Sequence, residues 1–213
     1  MRRLWNLFVP LAALSLFTIA ALAASATAAL PEFLPGKGTT FKGSLGKNEL
    51  QVKGGGITKC EAGKVSGEIT GPKAVTATVT REGCKALGFN ANTPGDATGV
   101  ELFATTGELC TLNKVAKSVG LLIKLPTTTI EVPTAKQKIQ ITGSLIGEVN
   151  PVNKSQTTGE LVFTQKEGVP GLEKCEGQPA AILLVKEGEG EFKAAGMSMT
   201  MRLEYVKATE VMA

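Results

Sequence analysis

The chain has 213 residues, with 23 bases, 19 acids and no histidine, for a net charge of +4. The lack of imidazole excludes Ser-His-Asp and Cys-His catalysis, histidine metal sites and histidine pH switches. The one tryptophan is Trp5 and there is one tyrosine, so aromatic platforms for sugars or single-stranded bases are scarce.

Residues 1–28 read as a secretory signal peptide. Arg2 and Arg3 form its basic start, and Leu7 to Ala23 is apolar apart from Ser15 and Thr18. Ala24-Ser25-Ala26 and Ala26-Thr27-Ala28 both offer small-x-small cleavage sites. The alternative is a retained anchor, because residues 4–24 approach the length that spans a bilayer. The small-residue run, with Pro31 and Pro35 just beyond it, favours cleavage. Removal leaves 185 residues, 29–213, enough for one domain with a core of its own. No later stretch is long enough to span a membrane. Within 29–213 the 21 bases and 19 acids are scattered, and only Arg81 and Arg202 are arginine. That pattern lacks the concentrated basic stripe of a nucleic-acid binder.

Beyond the leader the hydrophobic period is two. Strands are expected near 38–45, 49–60 and 64–70. Ser44-Leu45-Gly46-Lys47 matches S-x-x-K, in which a lysine activates a serine, but it falls between two strands beside Gly43 and Gly46 and reads as a turn. Val75, Ala77 and Val79 alternate with Thr76, Thr78 and Thr80, as in a half-buried strand. Asn90, Asn92 and Asp96 approach a calcium-binding cluster, but their spacing fits no standard loop, so they read as a polar turn around Pro94-Gly95. A strand is expected over 98–112. Leu112, Val115, Val119, Leu122 and Ile123 have helical spacing, yet Gly120 and Pro126 weaken a helix and the segment is read mainly as strand. Ile139, Ile141, Leu145 and Val149 share parity along 138–149. Further strands are expected over 157–166 and 180–186. In Met197 to Tyr205 every odd position is apolar and every even one polar, and the three methionines read as core rather than as a metal stripe.

Gly71-Pro72, Pro94-Gly95, Asn150-Pro151 and Pro170-Gly171 are turn pairs that divide these strands. The expected fold is therefore all-β, an antiparallel sandwich or barrel in a single domain. A weak repeat runs through it. Glu68, Glu108 and Glu148 each follow a glycine, each precede an apolar residue, and are followed by Lys73, Lys114 and Lys154. One reading makes the glutamates a repeated acidic site. The favoured reading is a repeated strand-turn-strand unit with glutamate on its solvent face.

Cys60, Cys84, Cys110 and Cys175 are an even set in an exported chain, which suggests two disulfides. Three pairings are possible, and Cys60–Cys84 with Cys110–Cys175 is preferred. Metal binding lacks C-x-x-C spacing and histidine partners, so no metal or cofactor site is assigned.

Three strings run Gly67-Glu68-Ile69-Thr70-Gly71-Pro72-Lys73, Gly83-Cys84-Lys85-Ala86-Leu87-Gly88-Phe89 and Thr142-Gly143-Ser144-Leu145-Ile146-Gly147. Together with Phe192-Lys193-Ala194-Ala195-Gly196, they resemble a group of secreted, uncharacterised proteins of high-GC Gram-positive bacteria. The resemblance implies secretion and a β-rich fold, and it transfers no activity. The expected function is a secreted or cell-surface, non-enzymatic structural or interaction role with no catalytic residue assigned, in a cell-envelope setting with an unidentified partner. The alternatives are a small apolar-ligand-binding barrel and a hydrolase based on glutamates or on Ser44 and Lys47.

Overall fold

The computed structural model describes residues 30–213, so the expected signal peptide, 1–28, lies outside the described residues. The alternation read from the sequence becomes β1 (Glu32–Leu34), β2 (Thr39–Leu45), β3 (Asn48–Val52), β4 (Ile57–Cys60) and β5 (Ala62–Ile69). Next come β6 (Ala74–Glu82), β7 (Lys85–Ala86), β8 (Phe89–Asn90) and β9 (Val100–Asn113). A 3-10 turn at Pro133–Ala135 joins β10 (Ser118–Val132) to β11 (Gln137–Asn150). The chain ends with β12 (Gln156–Phe163), β13 (Gln165–Lys166), β14 (Val169–Pro170), β15 (Leu183–Glu187) and β16 (Lys193–Met212).

The fold is all-β, and pairing decides between sandwich and barrel. Strands β2, β5, β6, β9, β10, β11 and β12 are neighbours in that order, and β16 pairs with both β12 and β2. The ladder from Thr158↔Glu204 to Phe163↔Met199 closes the ring, so the sheet is an eight-stranded antiparallel barrel. Closure leaves these strands without free edges.

Three long strands serve a second ring as well. Lys193–Ser198 of β16 pair with β15 and β3, and residues 139–143 of β11 pair with β15. β3, β4, β7 and β8 continue the path, and an isolated bridge, Asn92↔Glu131, returns it to β10. The shared strands bend where they change partners. In β10 the register shifts between Leu125 and Thr128, around Pro126, which has no N–H to donate. In β11 the bend falls at Gly143, with φ of 112°, where a Cβ would run into the Ile182 carbonyl.

Inward positions of both rings form one continuous core. Met197, Met199 and Met201 all face into it, as the parity of that strand requires. A second, smaller cluster lies outside the barrel, where Cys110, Ile146, Cys175 and Ala181 pack with Leu112, Leu122 and Leu172. It is covered by the strap 171–182. The Glu176 N–H donates to the Thr111 carbonyl at 2.8 Å, and the Ser144 N–H donates to the Ile182 carbonyl at 2.8 Å.

Three sequence expectations are refined. The strand over 49–60 is a hairpin, because Gly54 adopts φ of 65° and the three glycines 54–56 turn the chain. The helical spacing at 112–123 straddles a turn at 114–117 between two strands. The strand near 180 starts at Leu183, because the residues before it belong to the strap. Both disulfides have the preferred connectivity, Cys60–Cys84 and Cys110–Cys175.

Candidate functional site

An eight-stranded barrel has an interior that side chains just fill or that holds one small ligand. Here Phe41, Phe103, Phe163 and the three methionines fill it, leaving a cavity of about 50 Å³. That is room for a few waters. A larger apolar ligand would have to displace the methionines, whose flexible side chains repack readily.

One end of the interior is charged. The register Leu45↔Gly63↔Arg81↔Glu101 sets Arg81 and Glu101 opposite each other on β6 and β9, both facing inward, and Gly63 leaves space beside Arg81. Arg81 Nη1 donates to Glu101 Oε2 at 2.8 Å, and Arg81 Nε donates to Asn48 Oδ1 at 2.6 Å. Asn48 is held in turn by its Nδ2, which donates to the Gly46 carbonyl at 3.0 Å. Both side chains of the ion pair are 1 % exposed. Arg81 Nη2 and Glu101 Oε1 have no partner among the described residues. Burial pushes the Glu101 carboxyl above its ordinary range and the Arg81 guanidinium below its own, and each charge partly offsets the other's shift.

The sulfurs of Cys60 and Cys84 lie within 4.8 Å of each other and of a Glu101 carboxylate oxygen. They are joined as a disulfide, so they offer no thiolates to a metal ion. Sequence reading did not single out Arg81. The signal was its parity, since Val75, Ala77 and Val79 all point inward and residue 81 continues their face.

Apart from Asn92, the polar residues singled out from the sequence as candidate sites are exposed. Glu68, Glu108 and Glu148 sit on β5, β9 and β11, and all three are exposed. One strand separates each from the next: Glu68 lies opposite Thr76 on β6, which carries Ala74 opposite Glu108, and β10 lies between Glu108 and Glu148. Strands are about 4.8 Å apart, and each glutamate is two strands and two residues of register from the next, so their backbone positions stand roughly 12 Å apart, more than the separation of a glycosidase carboxyl pair. The strand-turn-strand reading of the repeat holds, because each glutamate lies on an outgoing strand, one residue before its end at Glu68, two at Glu148 and five at Glu108, ahead of a turn and a return strand. Ser44 is exposed at the end of β2, and Lys47 Nζ lies 3.5 Å from the Glu61 carboxylate. Asn92 is buried, its backbone bridging to Glu131 and its Nδ2 donating to the Thr93 carbonyl, while the Asp96 N–H also donates to that carbonyl. This is turn geometry.

Tyr205 packs edge-on to Phe41, with ring centroids 6.3 Å apart. Burial pushes its phenol up to about 12. As the only tyrosine, it should give a single step at about 12 when absorbance near 295 nm is followed against pH. The native state keeps this proton where the unfolded chain has lost it, so stability should fall as pH rises from 10.0 towards about 12. A step at 10.0 in the folded protein would contradict the burial.

A roomy concavity lies on the outside. An open groove of about 910 Å³ runs across β2, β5, β6, β9 and β10. Hydroxyls of Thr40, Ser66, Thr76, Thr78 and Thr106 line it, with the Glu68 carboxylate and the Lys124 ammonium. A cross-strand row of small residues, Gly67, Ala77 and Thr105, passes through it. No family model, curated protein or solved structure matches the chain.

Proposed function

We propose that this is an extracellular or cell-envelope protein with a non-enzymatic interaction role, and that the outer groove is its recognition face. One observation carries the reading: the interior is filled by side chains while a hydroxyl-lined groove stands open on the barrel wall. Rows of Ser and Thr hydroxyls both donate and accept, which suits a ligand rich in hydroxyl or amide groups. The signal-like leader and two disulfides support an oxidising destination. The resemblance to secreted Gram-positive proteins supports the same setting.

The test is retention on isolated cell-envelope material. Thr76→Trp with Thr78→Trp fills the groove from an exposed and a half-buried position on its lining, so binding should fall at least about tenfold with the circular dichroism unchanged. Unchanged retention would remove the groove from the proposal. Turnover of an ester or glycoside by the pure protein, lost in Glu68→Gln, Glu108→Gln or Glu148→Gln, would overturn the non-enzymatic role.

A further inference from the structure

The strand-turn-strand repeat has a consequence at one end of the barrel. The hairpins β5–β6, β9–β10 and β11–β12 all turn at that end, and the turn before β2 joins them, because Thr39 pairs with Ile69 at the foot of the β5–β6 turn. The four turns, 35–38, 70–73, 114–117 and 151–155, carry Lys37, Lys73, Lys114, Lys117 and Lys154 and no acid. Lys207, exposed on β16, stands beside them. At the far end of the second ring the turns 53–56, 87–88, 133–136 and 188–192 carry Lys53 and Lys136 against Glu189 and Glu191. Among these turns, positive charge is therefore gathered at one end of the molecule.

These lysines are also free. Lys114 Nζ lies 3.8 Å from Glu176, while Lys37, Lys73, Lys117, Lys154 and Lys207 form no ion pair among the described residues. The acids near this end lie outside the four turns: Glu32 and Glu210 on the β1–β16 ladder, Glu68, Glu108 and Glu148 on the outer wall, and Glu176 on the strap, which accepts from the Lys114 N–H at 3.0 Å. Apolar side chains stand exposed among the lysines. Val115 is 95 % exposed at the tip between Lys114 and Lys117, and Val206 is 73 % exposed. Leu30, before β1, and Leu34, its last residue, lie at the same end and are 46 % and 41 % exposed. The chain continues from Leu30 towards residues 7–23, the apolar run of the leader.

We propose that this end of the barrel docks on an anionic lipid surface. Clustered lysines are drawn to anionic headgroups, and exposed apolar tips between them gain by entering the headgroup layer. Screening limits the attraction to about 10 Å at 0.1 M salt, so the lysines must lead the approach, and at this end they do. Whether residues 1–28 are removed or kept, the chain reaches the described fold at the face that would meet the lipid. The proposal is independent of the groove on the barrel wall.

The test is sedimentation of the exported protein, as the producing cell delivers it, with vesicles of phosphatidylglycerol and phosphatidylcholine or of phosphatidylcholine alone. A variant with Lys37, Lys73, Lys117, Lys154 and Lys207 changed to Gln should bind the anionic vesicles about fiftyfold or more weakly. A control with Lys53, Lys59, Lys85, Lys136 and Lys193 changed to Gln removes the same charge elsewhere and should stay within about twofold of the unmodified protein. Val115→Asp should weaken binding with the fold intact. All variants share one N-terminus, so any attachment through it cancels. Equal loss in both lysine variants, equal binding to pure phosphatidylcholine, or no binding to either vesicle would each overturn the proposal.

Discussion

Arg81→Met should destabilise the protein by about 3–5 kcal/mol, because it strands the Glu101 carboxylate in an apolar site. Glu101→Leu should cost a similar amount, leaving the guanidinium with only Asn48 as a partner. The double variant, Arg81→Met with Glu101→Leu, should lie close to the original stability or above it, since well-packed apolar groups of similar size relieve the desolvation of both charges. Urea unfolding of the four proteins forms a double-mutant cycle whose coupling term should be large. A cost below about 1 kcal/mol for either single change would mean that the pair is wetter than its 1 % exposure indicates.

The pair also predicts a pH dependence. The Glu101 carboxyl is held above its ordinary 4.5 by burial, so the native state keeps a proton that the unfolded chain has released. Stability contributed by that protonated form is present at low pH and falls as pH rises from 4.5 towards the raised value. Glu101→Gln should flatten this slope. The Arg81 charge opposes it, so the slope should be steeper in Arg81→Met than in the unmodified protein.

The strands were legible because alternation is a local signal. Val75 to Val79 and Met197 to Tyr205 show which face is buried without any knowledge of what lies opposite. The repeat at Glu68, Glu108 and Glu148 was legible for the same reason, since it marks outgoing strands that lead into turns. Closure of the barrel was not. It depends on β16 meeting β12 and β2, strands far away in the chain, and no local pattern carries that pairing. The second ring was hidden because it reuses β10, β11 and β16, whose continuous alternation gives no sign that they change partners midway. Pro126 and Gly143 were the only local marks of those bends. The ion pair fell between the two cases. Parity placed Arg81 inward, but an inward arginine is credible only once Glu101 is known to lie opposite, and that is a fact of register. The basic end needed both levels, because the lysines are scattered in sequence and gathered only by the hairpins.

Changing Cys110 and Cys175 together to Ser should lower stability by about 4 kcal/mol, as expected when a loop spanning 65 residues is released in the unfolded chain. The same change at Cys60 and Cys84, spanning 24 residues, should cost about 3.5 kcal/mol. The two losses should differ in kind as well as in size. Cys60 lies on β4, which pairs with β3 and β7 in the second ring, so that region keeps its ladders without the sulfurs. Cys175 lies on the strap, whose apolar cluster is separate from the main core and small. Hydrogen exchange should therefore become fast across 171–182 in the Cys110/Cys175 variant while the barrel strands stay protected, with Leu112 and Leu122 newly exposed under the strap. Retained protection over 171–182 would mean that the backbone bonds at Thr111 and Ser144 suffice to hold the strap. The disulfide would then act only through the unfolded chain.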